Sequence, residues 1–531
     1  MSLPSLSPKP KGFAKWIIVA TVISATMLEL IDTTIVNVAL SDISGNLGAT
    51  IEDASWVVTA YAIANVIVIP MTGFLASYFG RKNYYLASIL IFTFSSYMCG
   101  NAGGLWELVM WRFIQGVGGG ALLSTSQSIL FDTFEISERP TASAIFGLGV
   151  IIGPTIGPTL GGVIVDNAHW SLIFDINIPV GIIAAFLVYN YIEKQPHEYN
   201  INRKAIKIDY IGILLLIVWV GSLQYILERG QTEDWFAAKH IVVLTIAAVA
   251  AFVLFIWWEL KTDSPAVNLG VLRNRTLAIT TLLTFIMGMG MYCSMFVYPV
   301  WMQRVMGFTP TLTGESLFPG AIVAAIMMPI VGKQIQRGVP PKYLITAGFF
   351  FFAIFCFWMS GASAEAGVMF FFFPLLLRGF GAAMLSVPLT NQAVSGLTPQ
   401  QMPQGIAINN MLRQLGGSFG IAFMNTYVAR QYSMHRLQMV NYVTPENPVA
   451  MERIEQLSGG LVAKGVNALQ AHGVAMNIMD GIVTKQAYVL TYLDAFRIVG
   501  IFFICVLPLM LFVKKRNVGA AAMKEAVDHA H

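Results

Sequence analysis

Two carboxylates and a guanidinium stand where an apolar chain has least use for them. Glu29 and Asp32 lie three residues apart, on one face of any helix that holds them, within the apolar stretch 15 to 40. Arg112 lies in a second such stretch, 106 to 130. At 1.5 Å per residue Asp32 falls about two-thirds of the way along its helix and Arg112 about 9 Å below the matching end of its own, so the two can meet at one depth. Ionisable groups at bilayer depth cost several kcal/mol and mark function by default. Burial disfavours a charged carboxylate and a neighbouring guanidinium favours it, which leaves a group able to take up or release a proton as its access changes. The competing reading is a static Asp–Arg pair that fixes helix packing. Asp32 suits proton coupling, whereas Arg112 suits coupling and structure equally. Glu29 suits coupling, recognition of a cation, or an acid reaching into a hydrated cavity.

Other patterns point to motion and to packing. The stretch 141 to 165 carries Gly149, Gly153, Gly157, Gly161 and Gly162 with Pro154 and Pro158. Glycine at every fourth residue cuts a groove for another helix, and each proline removes a helical hydrogen bond. The combination suits a helix at a rocking interface, or a packing seam without gating duty. Gly73, Gly80, Arg81 and Lys82 form a glycine-turn-basic cluster, either a membrane anchor or a latch between helices. Asn37, Tyr61, Gln115 and Tyr292 are candidates to line a pocket, from helix and depth alone. The 26 methionines and 35 phenylalanines would suit an adaptable pocket or a lipid-facing surface. Cys99, Cys293, Cys356 and Cys505 sit far apart in apolar runs and read as packing, and the seven histidines fall in loops or tails. No intramembrane metal site or cofactor is expected. Arg378 and Arg413 are expected to be internal pairs or carbonyl donors.

Those residues need a membrane to hold them. Only 11% of the 531 residues are charged and 56% are hydrophobic, against about 25% charged in soluble proteins. A chain this poor in charge cannot cover its surface in water, which excludes nucleic-acid binding, a disulfide scaffold and cytosolic enzymology. Fourteen stretches are long enough to cross a hydrocarbon core of about 30 Å. With both termini cytoplasmic, twenty of the 32 basic residues fall in inner segments, eight in outer ones and four inside spans. Glycine pairs recur at a steady offset: Gly73 with Gly332, Gly116 and Gly118 with Gly379 and Gly381, and Gly153 and Gly157 with Gly416 and Gly420. The offsets imply an all-α polytopic protein of two parallel six-helix lobes. The expected organisation is a tail 1–14, a lobe 15–192, a linker 193–275 with two inserted helices, a lobe 276–513 with an outer loop 430–487, and a tail 514–531. A substrate site would then lie near the midplane between the lobes.

The motifs resemble the major facilitator superfamily, in its fourteen-span drug:proton antiporter branch of the EmrB/QacA type, over nearly the whole chain. Leu30 to Leu40 is similar to the branch's first-helix signature, with Asp32 on its acidic position. Trp56 to Tyr61 resembles the opening of its second helix, Arg112 to Gly120 its fourth-helix motif, Gly149 to Gly162 its antiporter motif, and Trp170 to Gly181 the start of its sixth helix. Two departures stand out: Ser77 occupies a position where the superfamily usually has an acid, and Glu29 is an acid beyond the motif. The resemblance implies a multidrug exporter, not an enzyme, that exchanges amphipathic compounds for protons by alternating access. The coupling ion is the proton, and the partners are small amphipathic substrates and the lipid bilayer. The long outer loop resembles the EmrB-like arm, which implies a Gram-negative inner membrane, a periplasmic adaptor and an outer-membrane channel. The alternative is a proton-coupled exporter of one endogenous product such as a siderophore, fatty acid or lipid. A membrane enzyme or sensor would need a nucleophile, a metal cluster or an added soluble domain.

Overall fold

The computed structural model describes residues 12–193, 208–398 and 401–512. Among these residues it is helical and contains no strand. Helix α1 spans Phe13–Asn46, α2 Ile51–Ala54, α3 Trp56–Phe79, α4 Arg81–Gly100, α5 Leu105–Thr133 and α6 Arg139–Asn167. Then come α7 (Leu172–Asp175), α8 (Asn177–Tyr191), α9 (Tyr210–Arg229) and α10 (Lys239–Glu259). The second half holds α11 (Arg275–Arg304), α12 (Pro310–Gln336), α13 (Pro341–Met359) and α14 (Val368–Ala393). It ends with α15 (Met402–Val440), α16 (Pro448–Ala463) and α17 (Ala468–Val506). Apart from the short α2, α7 and α16, the helices fall in order on the expected stretches. Among the described residues eleven helical stretches are long and apolar enough to cross a membrane. Helices α4, α5 and α15 fall short of that measure because they carry buried polar residues, among them Arg112, Gln115, Asn410 and Arg413. The expected tail 514–531 and nearly all of 1–14 lie outside the described residues.

Local chemistry sets the helix ends. Asn274 accepts the amides of Thr276 and Leu277 to open α11, and Thr309 accepts that of Leu312 to open α12. Gly80 closes α3 with φ 84°, a conformation that costs glycine little and lets α4 begin at once with Arg81.

The repeat seen as glycine offsets reappears as equivalent contacts. A Cβ on Gly116 of α5 would lie 2.9 Å from Ala64 of α3, and one on Gly379 of α14 would lie 3.2 Å from the Ala324 amide of α12. Gly118 meets α4 at Phe92 (2.8 Å), and Gly381 meets α13 at Phe352 (3.1 Å). Gly153 meets α1 at Leu30 (2.8 Å), and Gly416 meets α11 at Phe285 (2.9 Å to its carbonyl carbon). Without a hydrophobic drive between helices in lipid, such close backbone approach is what holds a lobe together. The second lobe adds an aromatic core in which Trp301, Phe349, Phe352, Phe355, Phe496 and Phe503 are buried.

The lobes touch through α6 on α12 and α14, and through α15 on α3 and α5. At the end bearing the basic loops, Gln336 Nε2 donates to Thr141 Oγ1 at 2.8 Å, and Gly73 lies against the Gln404 backbone. Helices α9 and α10 pack together, and α9 also lies on α3 and α15, so the inserted pair flanks both lobes. The outer face of α10 exposes Val243, Ile246, Val249 and Val253, as lipid contact requires.

Three expectations need correction. Segment 430–487, expected as an outer loop, is mostly helical: α15 and α17 each run 39 residues, about 58 Å, well beyond the bilayer core. Arg436 pairs with Asp480 at 2.6 Å, His435 with Asp494 at 2.9 Å, and Tyr432 stacks on Tyr488 at 4.2 Å, binding the two helices side by side. His240, His435 and His472 lie on helices, not in loops. Cys505 is exposed on α17, whereas the other three cysteines are buried.

Candidate functional site

Asp32 and Arg112 meet as the sequence suggests, and both are at most 1% exposed. Arg112 Nη1 lies 2.5 Å from Asp32 Oδ2. Helix α5 supplies a second donor three residues on, where Gln115 Nε2 donates to Asp32 Oδ1 at 3.0 Å. Asn177, the first residue of α8, donates to the same oxygen at 3.1 Å. Ser96 on α4 joins these amides, accepting from Gln115 at 3.1 Å and from Asn177 at 3.0 Å. Its own hydroxyl donates to the Phe174 carbonyl at 3.0 Å. One carboxylate of α1 thus gathers α4, α5 and α8 around itself.

Arg112 is held on every side. Its Nε donates to the Val57 carbonyl at 3.1 Å, and Nη1 also donates to Gln115 Oε1 at 2.7 Å. The guanidinium lies 4.2 Å from the Tyr61 ring centroid and 5.7 Å from that of Phe174, within cation–π range. Val57 and Tyr61 stand one turn apart on α3, so a single face of that helix presents both the carbonyl and the ring. A buried ion pair of this kind is costly unless further hydrogen bonds support it, and here Val57, Gln115 and Asn177 supply them from within one lobe.

Glu29 lies one turn earlier on α1 and turns toward α3. It is 3% exposed, and its Oε1 accepts from Asn65 Nδ2 on α3 at 3.1 Å. Its Oε2 is buried without a partner. Asn37, eight residues further along α1, is exposed and donates to the Thr33 carbonyl at 3.3 Å. Tyr292 of the second lobe donates to Gln414 Oε1 at 3.2 Å, with its ring lying against Gly417. Tyr61 and Gln115, named as pocket candidates, belong instead to the shell around Asp32 and Arg112.

The proline-glycine seam of α6 faces α1. Cβ atoms on Gly153, Gly157 and Gly161 would press on Leu30, Thr34 and Ile35, whereas one on Gly149 would meet nothing nearer than 3.6 Å. Pro154 and Pro158 lie within the helix, with Gly162 buried beside the seam. Other residues of α6, including Gly147 and Thr159, meet α12 across the lobe interface. The seam therefore seats the helix that carries both acids, instead of forming the inter-lobe surface itself.

In the turn cluster, Arg81 pairs with Asp132 at the end of α5, so α5 contributes an acid that the loop lacks. Lys82 donates to the Tyr189 carbonyl of α8 at 2.7 Å, and Ser77 merely donates to the Gly73 carbonyl in its own helix at 2.8 Å. Sequence reading missed Ser96, Asn65, Asn177 and Asp132. Asn177 was within reach, since a lone amide opening an apolar helix inside a recognised motif needs a partner. Among the described residues no group of three or more His, Cys, Asp or Glu is placed to hold a metal ion.

The profile of the Major Facilitator Superfamily matches residues 22–421. The chain is 34% identical over 510 residues to the multidrug export protein EmrB of Escherichia coli (strain K12), covering 95% of this chain and 97% of that protein. It is 32% identical over 510 residues to the fatty acid resistance protein FarB of Neisseria gonorrhoeae, covering 96% and 97% of the two. It is 27% identical over 502 residues to the colistin resistance protein EmrB of Acinetobacter baumannii, covering 94% and 96%. Its fold is similar to that of the human organic anion transporter MFSD10 (TETRAN), with a TM-score of 0.56 at 13% identity, covering 92% of this chain and 99% of that one. With a family profile over most of its length, near-complete relatives above 30% identity and the paired lobes described above, this chain is a multi-pass membrane protein that belongs to the major facilitator superfamily, in its EmrB-like arm.

Proposed function

We propose that the chain is a multidrug efflux transporter that expels amphipathic compounds in exchange for protons, with Asp32 as the coupling acid. The observation that carries this reading is the saturated Asp32: one carboxylate accepts from Arg112, Gln115 and Asn177 on two other helices. Protonation would remove the charge that holds the guanidinium and free α1, α5 and α8 to shift together. A proton crossing the membrane contributes about 2.3 kcal/mol per 100 mV, enough for roughly a fortyfold substrate gradient. The relatives' names, which span multidrug, fatty acid and colistin resistance, favour a broad substrate range over one endogenous product.

Alternating access fits the contacts between lobes. Asn410 Nδ2 on α15 donates to Ser124 Oγ at 3.2 Å and Gln127 Oε1 at 2.9 Å on α5, closing the basic-loop end. Exposure of Asn37 toward the other end of α1 suits an opening on the opposite side. We assign the basic-loop end to the cytoplasm with both termini, count fourteen crossings, and take Arg81 and Asp132 as a latch for this state. The paired projection of α15 and α17, with α16, is the surface for a periplasmic adaptor that hands substrate to an outer-membrane channel.

Proteoliposomes with an imposed pH gradient test the assignment. Wild-type protein accumulates a fluorescent cationic dye as protons leave, and Asp32→Asn does not; undiminished proton-driven transport by Asp32→Asn overturns it.

A further inference from the structure

Arg413 on α15 is 7% exposed, and its Nε is buried with no acceptor among the described residues. The expectation that it serves as an internal pair or carbonyl donor therefore fails. Its neighbours on that helix are engaged: Asn410 bonds α5, and Gln414 accepts the Tyr292 hydroxyl. In the first lobe, Glu29 Oε2 and Asn65 Oδ1 are also buried and unpartnered among the described residues, as is Asn409 Oδ1 on α15 itself. Asn65, which bonds Glu29, lies on α3, and α3 packs against α15 with Val66 and Ile69 in one buried cluster with Met411 and Leu415, which flank Arg413. Glu29 and Arg413 nevertheless form no ion pair.

Buried polar atoms nearly always find a partner or an ordered water, and an unpaired charge at bilayer depth is costly. A guanidinium from one lobe and a carboxylate oxygen from the other, both left open at the same interface, describe a place completed by something bound there. Arginine's planar fork matches a carboxylate with two parallel hydrogen bonds. Such an anion must compete with the field of Glu29, whereas a cation gains from it.

We propose that Arg413 and Glu29 form a subsite between the lobes that sorts amphipathic substrates by head-group charge, the carboxylate of an organic acid binding Arg413 and a cationic head group binding Glu29. The inference rests on the export reading and adds its selectivity. The probes are dodecanoate and tetraphenylphosphonium, with equilibrium binding measured on the full chain in lipid nanodiscs.

Arg413→Gln is expected to lower the preference for dodecanoate over tetraphenylphosphonium by about tenfold to a hundredfold, the range of one charged hydrogen-bonding partner. Glu29→Gln is expected to move the preference the other way, and Arg413→Lys, which keeps the charge without the fork, to fall between wild type and Arg413→Gln. Equal weakening of both probes by Arg413→Gln, or an unchanged preference, overturns the subsite. Should Arg413→Gln fail to fold, Glu29→Gln decides, and an unchanged preference there overturns it too. Wild-type protein that shows this selectivity but builds no proton-driven gradient overturns export and leaves the subsite standing.

Discussion

Removing both sides of the Asp32–Arg112 pair should harm the protein by less than the two single removals combined. The pair is at most 1% exposed, so Asp32→Asn leaves a buried guanidinium without its counter-charge, and whichever way the new amide turns its NH2 faces a donor, either Arg112 Nη1 or the Gln115 and Asn177 amides. Breaking a buried pair in this way costs about 3–5 kcal/mol. Arg112→Gln strands the carboxylate instead, although Gln115 and Asn177 still reach it, which places its cost at the lower end of that range. The double variant leaves neither charge unpaired and should recover about 1–3 kcal/mol relative to the sum of the single effects. The assay is reversible unfolding in mixed micelles for wild type, both single variants and the double, with proton-driven dye transport measured in parallel. Stability is expected to return in part in the double variant while coupling does not. Additive single effects would refute the reasoning, because they would mean that the two charges do not depend on one another.

Three further outcomes follow from the packing. Gly157→Val should press on Thr34 and destabilise the first lobe by about 1–3 kcal/mol, whereas Gly149→Ala, with nothing nearer than 3.6 Å, should change stability by no more than about 0.5 kcal/mol; thermal unfolding of the two variants separates a seam that seats α1 from a merely glycine-rich helix. Asn177→Ala removes one of two amide donors to Asp32 Oδ1 and should cost about 1–3 kcal/mol, together with a loss of coupled transport; stability equal to wild type in the same unfolding assay would count against the network. Replacing residues 443 to 465 by a short linker should leave transport in proteoliposomes intact and abolish drug resistance in cells, if α16 and its flanks serve an adaptor; loss of both would assign the projection to the transporter's own folding.

The first lobe was more legible than the second. Asp32, Arg112 and the glycine offsets could be read because each breaks a rule of its surroundings: charge where lipid forbids it, or a missing side chain at regular spacing. The motifs at Trp56 to Tyr61 and Trp170 to Gly181 were visible as patterns, but their purpose was not. Val57 presents only its backbone carbonyl to Arg112, and Asn177 reaches Asp32 from 145 positions away. Arg413 resembled an ordinary internal donor until its surroundings showed no acceptor. Segment 430–487 reads as a loop because its polar residues lack the apolar run of a membrane span, yet Arg436 and His435 bond Asp480 and Asp494 of α17 and tie the two long helices together well past the bilayer.

What the sequence determined by itself was the membrane setting, the duplicated lobes and which ionisable residues lie deep. These follow from local quantities, namely the length of apolar runs, the cost of charge in hydrocarbon and the period of small residues. Only the tertiary structure decided that Asp32 is held by donors from α5 and α8, that the glycine seam faces α1, and that Glu29 and Arg413 each keep a buried atom unpartnered on helices of opposite lobes. Those facts depend on how helices rotate and cross, and a helix's rotation is set by the side chains of its neighbours, which no single stretch of the chain contains.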